Sequence, residues 1–189
     1  MIALVAMTIG VAAQAAQVNW QVGGKALYNK ADTALTAGQT VYLVLASKQA
    51  DVAAMLDAGT ALTATGANGI LGVATTGNNG VITAQTVGSS ILAAAGINAG
   101  DQIYANILVV DTTSAAGETW YKFSAQNYAA AYDETATPVV ATTVKFSAAQ
   151  FGSAAANHGT AWTKAVPEPT SGLLMLVGLG ALALRRKRA

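Results

Sequence analysis

Between residues 18 and 146 the chain repeats one device: a short run of Val, Ile, Leu and aromatic positions, closed by Gly, Asn or Asp. Residues 18–22 alternate, with Val18, Trp20 and Val22 on one side and Asn19 and Gln21 on the other, the period of a half-buried strand. Residues 41–46 (VYLVLA) form a continuous β-rich run, as in a core strand. Residues 69–75 and 81–87 flank Gly77-Asn78-Asn79-Gly80, whose residue types tolerate positive φ and predict a hairpin turn. The longest strand candidate is 102–110 (QIYANILVV); 118–124 alternates around Trp120 and Phe123, and 138–146 offers a late strand. Ser47 is placed to cap a helix running to Ala58, with Val52, Met55 and Leu56 on one face and Gly59 as its stop. Residues 89–95 and 147–156 are weaker helical candidates. Seven or so short strands between turn residues predict a mostly β body, a single β-sandwich-like domain with one or two short helices, over residues 16–165.

The two ends break this pattern. Residues 2–11 are apolar and are followed by Ala13-Gln14-Ala15, a small-x-small cleavage pattern, so residues 1–15 are expected to be a signal peptide. No Lys or Arg precedes the apolar run, which means either an atypical signal or a true start elsewhere. At the other end stand Pro167, Glu168 and Pro169, then thirteen uncharged residues: Gly172, Leu173, Leu174, Met175, Leu176, Val177, Gly178, Leu179, Gly180, Ala181, Leu182, Ala183 and Leu184. As a helix this run would be roughly 20 Å long. A bilayer core is about 30 Å thick, so the predicted transmembrane helix is short. Arg185, Arg186, Lys187 and Arg188 follow directly. They can snorkel to headgroups and should hold that end on the cytoplasmic side. The two prolines leave the segment before the run extended and open to a protease.

This order of Pro-Glu-Pro, short apolar segment and terminal basic cluster resembles the PEP-CTERM sorting signal of Gram-negative bacteria. The resemblance is confined to residues 166–188. It implies that exosortase, a membrane cysteine protease, is the processing partner and cuts near the Pro-Glu-Pro. It also implies a transient stay in the inner membrane, then delivery to the cell surface or to extracellular polysaccharide and biofilm matrix. It says nothing about the fold or activity of the residues before it.

Removing the tail changes the charge balance. The whole chain has a formal charge of +1, but residues 16–165 carry six Lys against eight acids, a net of −2, and no Arg. A mildly acidic body without Arg is a poor binder of phosphate or nucleic acid. There is no Cys, and a domain of this size can be stable without disulfides.

Candidate chemistry is sparse. His158 is the only histidine, which excludes a multi-His metal site. Ser153 is near it in sequence, but no G-x-S-x-G elbow is present. Asp133-Glu134 is the only adjacent acidic pair. Paired carboxylates can hydrolyse glycosides, and Asp111, Asp133 and Glu134 with backbone carbonyls could bind calcium, although no D-x-D-x-D-G loop exists. The glycines of residues 66–72 have the wrong spacing for a dinucleotide fingerprint and fit turns. Trp20, Trp120, Trp162 and the six Tyr could stack on sugars, though most are expected in the core or on strand faces. The expectation is therefore a secreted structural or adhesive protein, not an enzyme, with no cofactor or metal. A carbohydrate-binding module associating with exopolysaccharide is the alternative, and a glycan-active enzyme a third.

Overall fold

The computed structural model describes residues 18–23, 27–124, 127–131, 142–147 and 162–166. Strands dominate: β1 (Val18–Gly23), β2 (Thr40–Leu45), β3 (Ile70–Thr75), β4 (Ile82–Val87), β5 (Gln102–Asp111), β6 (Trp120–Phe123), β7 (Asn127–Ala131), β8 (Thr142–Ser147) and β9 (Thr163–Lys164). Two short helices, α1 (Gln49–Asp57) and α2 (Ser89–Ala94), interrupt them. The described strands form two sheets and no barrel. One has the order β4-β1-β8, with β1 antiparallel to β4 and parallel to β8. The other runs β3-β2-β5-β6-β9, with β7 also on β5. β6 pairs residues 108–111 of β5 and β7 pairs residues 102–105. Ser124 fills the break between them, its N–H donating to the Ile107 carbonyl and its hydroxyl accepting the Ile107 N–H, both at 2.8 Å.

The larger sheet is covered on both faces around β2 and the 107–109 stretch of β5, which explains why 41–46 and 107–110 read as unbroken apolar runs. Val41 and Leu43 of β2 and Ile103, Ala105, Ile107 and Val109 of β5 share a core with Val18, Trp20 and Val22 of the smaller sheet. The alternate positions, Val44 and Leu108, pack instead with Val52 and Leu56 of α1, Tyr121, Phe123 and Ala165. On β1 only one face is apolar. Its outward Asn19 accepts a 2.7 Å hydrogen bond from the Thr86 hydroxyl across the strand pair.

Trp20 fixes the contact between the sheets. Its indole is fully buried over Gly72, and its Nε1–H has no hydrogen-bond partner. A Cβ at residue 72 would lie 2.8 Å from that nitrogen. Gly72→Ala is therefore expected to cost about 1–3 kcal/mol as the indole or the strand shifts. Urea unfolding checks this, and an unchanged midpoint would contradict the contact.

Three local expectations change. The turn at residues 77–80 is not a hairpin: β3 pairs with β2 and β4 with β1, so the chain crosses from one sheet to the other there. Asn78–Gly80 forms a single 3-10 turn, with Gly80 at φ +65°. The turn chemistry was legible, but the exit direction depends on which sheet buries Ile82 and Val87. Secondly, Ser47 lies inside a 3-10 turn, Ala46–Lys48, and does not cap α1; Lys48 precedes the helix with no side-chain cap. Gly59 does end the helix, at φ +67°. Finally, Ser147 ends β8 and does not begin a helix; the remaining residues of that helical candidate lie outside the described ones.

Among the described residues no helix is long and apolar enough to cross a membrane. The expected transmembrane run, residues 172–184, lies outside them, as do the expected signal segment and its Ala13 and Ala15.

Candidate functional site: the junction between body and tail

The tail's attachment to the body is the candidate site. The chain re-enters the larger sheet as β9, with Thr163 opposite Tyr121 and Lys164 opposite Trp120. Ala165 follows, only 4% exposed, and its N–H donates to the Thr119 carbonyl at 2.8 Å. Val166 is 60% exposed, and its N–H donates to the Asp57 carboxylate at the end of α1, 3.3 Å away. Pro167, Glu168 and Pro169 come next in sequence and lie outside the described residues, as do Arg185, Arg186, Lys187 and Arg188. The body therefore holds the chain until one residue before the Pro-Glu-Pro.

Polar contacts secure this junction. Lys164 pairs with Glu118 at 2.5 Å, and the Trp120 indole N–H donates to the other Glu118 oxygen at 2.8 Å. The Lys164 and Trp120 hydrogen bonds hold the Glu118 carboxyl below its ordinary pKa. Lys30 lies over the Trp120 ring, 4.1 Å from its centre, a cation–π contact that occupies this face. Burial, with the nearby Asp57 charge adding to it, raises the Tyr121 phenol above its ordinary value. Beside the junction a cavity of about 430 Å³ opens between the start of α1 and the strands, lined by Ser47, Gln49, Ala50, Tyr121, Lys122 and Thr163 among others. Burial lowers the pKa of Lys122 there.

Three further carboxylates, those of Asp111, Asp51 and Asp101, are committed to local structure. Asp111 is 1% exposed; one oxygen accepts from Thr113 N–H and hydroxyl at 2.8 Å and from Ser114 N–H at 3.2 Å. The other accepts from Lys30 N–H at 3.0 Å and from the Ser114 hydroxyl. Asp51 pairs with Lys48, and Asp101 accepts the Asn98 N–H. Asp111 is thus a loop fastener, and among the described residues no group of three or more His, Cys, Asp or Glu could hold a metal. Asp133, Glu134, Ser153 and His158 lie outside the described residues.

Of the three Trp, Trp20 is core, Trp162 is partly buried against the same core, and Trp120 is half-buried under Lys30. Sequence reasoning missed Asp57 and β9. Thr163-Lys164 is too short to show a strand period, and a lone Asp at a helix end has no signature.

No curated protein and no solved structure matches the chain. Residues 165–188 match the family model of the PEP-CTERM protein-sorting motif, which implies export, processing by exosortase and an extracellular or cell-surface destination.

Proposed function

We propose that the body is a non-enzymatic structural or adhesive protein of the cell surface or extracellular matrix of a Gram-negative bacterium. Residues 1–15 direct export, residues 16–165 form one sandwich-like domain, and residues 166–189 are the sorting signal. Residues 172–184 hold the chain transiently in the inner membrane, with Arg185 to Arg188 as the cytoplasmic stop. The sorting motif at residues 165–188 carries this reading. The commitment of Asp51, Asp57, Asp101, Asp111 and Glu118 to local contacts supports a structural role. Association with extracellular polysaccharide through an aromatic platform takes less support: Trp20 is sealed, and Lys30 covers Trp120. Among the described residues, exposed Tyr104 is the aromatic that favours it.

Mass spectrometry of the exported protein from cells carrying exosortase tests the sorting. The expected mass corresponds to a chain ending near Pro167–Pro169. An exported form intact through Ala189 would refute cutting there. Replacing Arg185, Arg186, Lys187 and Arg188 with Gln should reduce processing by about tenfold or more, since the cations fix the orientation of the short apolar run. Unchanged processing would contradict that role.

A further inference from the structure

We infer that β9 is a clip controlling access to the processing motif: it must leave β6 before the chain can be cut near Pro167–Pro169. This rests on exosortase processing, as implied by the motif. Val166 alone separates buried Ala165 from Pro167, and its own N–H is bonded to Asp57. Proteases commonly take their substrates as extended strands, through main-chain hydrogen bonds to residues beside the scissile bond. Among the residues just upstream of this motif, the main-chain groups that face β6 are already spent on the body. Thr163 and Lys164 pair with β6, and the Ala165 N–H is held by Thr119. A backbone N–H serves one strong acceptor, so the enzyme and β6 compete for the same segment. Reach adds to this. From Ala165 to Gly172 is seven residue steps, at most about 25 Å fully extended. A docked body therefore sits close against the membrane at the place where the enzyme must enter.

The clip is built to open. It has two paired residues, both exposed, and its ion pair is solvated on both sides. Short elements with few buried contacts open at low free energy while the core stays folded.

A staple tests the clip. Trp120 and Lys164 are opposite each other in the register, and the chain has no Cys, so Trp120→Cys with Lys164→Cys supplies the only thiol pair in an oxidising compartment. Processing of the full chain is followed by pulse-chase in cells carrying exosortase, and staple formation is read from mobility without reductant. The stapled chain should be cut at least tenfold more slowly than wild type. The matched Trp120→Ser with Lys164→Ser chain, which has the same losses and no staple, should be cut at least as fast as wild type. Glu118→Gln with Asp57→Asn, which loosens the clip and leaves the core untouched, should also be faster. A stapled chain cut at the wild-type rate would overturn the inference, as would loosened chains cut no faster than wild type. An uncut wild-type chain would overturn the sorting reading, and the inference with it.

Discussion

Asp111→Ala is expected to destabilise the body by about 3 kcal/mol, because a buried carboxylate that collects five hydrogen bonds is removed and its donors lose their acceptor. For a domain of this size, that lowers Tm by roughly 10 °C. Three of those donors are backbone N–H groups, on Lys30, Thr113 and Ser114, so two separate loops come loose together. Burial alone would raise this carboxyl's pKa. The hydrogen bonds from Ser114, Thr113 and Lys30 outweigh it and bring the pKa from 3.8 to about 2. The sign follows from linkage. A depressed folded-state pKa gives stability that is fully present above the unfolded value and is lost as pH falls from about 4 through 2. The size of that pH-dependent part is roughly 2 kcal/mol. Urea midpoints measured from pH 7 down to pH 2 should fall across that window for wild type. The Asp111→Asn variant should lack this component. Parallel curves for the two proteins would contradict the assignment.

Gly66→Ala is expected to be at least as damaging, about 4 kcal/mol or more. Residue 66 has φ +72°, and a Cβ there would lie 2.1 Å from the Ile91 carbonyl oxygen of α2, with the Ala95 nitrogen at 3.0 Å. Neither neighbour is a flexible side-chain end; both are helix backbone. The turn that begins at Gly66 accepts and donates its own bonds, Gly66 N–H to Ile70 and Gly69 N–H to Gly66, so it cannot back away without losing them. Gly96 separates the two causes. It has nearly the same dihedral, φ +74°, with nothing within 4 Å of an added Cβ. Gly96→Ala should therefore cost only the conformational part, about 1 kcal/mol. If the two variants lose equal stability in urea, close packing against α2 is not what residue 66 provides.

The strands that sequence revealed are those with an alternation or a run of at least three large apolar residues. Val18, Trp20 and Val22 marked β1, and the continuous run at 41–46 marked β2 as a core strand. Strand β7 was hidden because Asn127–Ala131 is mostly Ala, which has no preference for a pleated surface. Sheet membership was also hidden. Residues 77–80 carry the chemistry of a hairpin, yet nothing local says that Ile82 is buried against β1 and not beside β3. Residues 37–42 (AGQTVY) and 99–104 (AGDQIY) are alike in sequence, and Gly38 at φ +86° and Gly100 at φ +90° each turn the chain into a strand of the larger sheet. In the candidate site, the tail was legible because its signal is compositional and contiguous. The junction was not, because Asp57 and Val166 meet across 109 positions of sequence.

The place of β1 in its sheet has a consequence for timing. Val18 pairs with Val87 on one side and with Thr142 on the other, 124 positions away. Closing loops of that length delays the reward from the contacts they make, and high contact order slows folding. A chain that crosses a membrane from its first residue onward cannot complete this sheet until Thr142–Ser147 has also crossed. The smaller sheet thus gains its β8 ladder late, when only residues 148–189 remain to arrive, and the pairing of β9 with β6 comes later still.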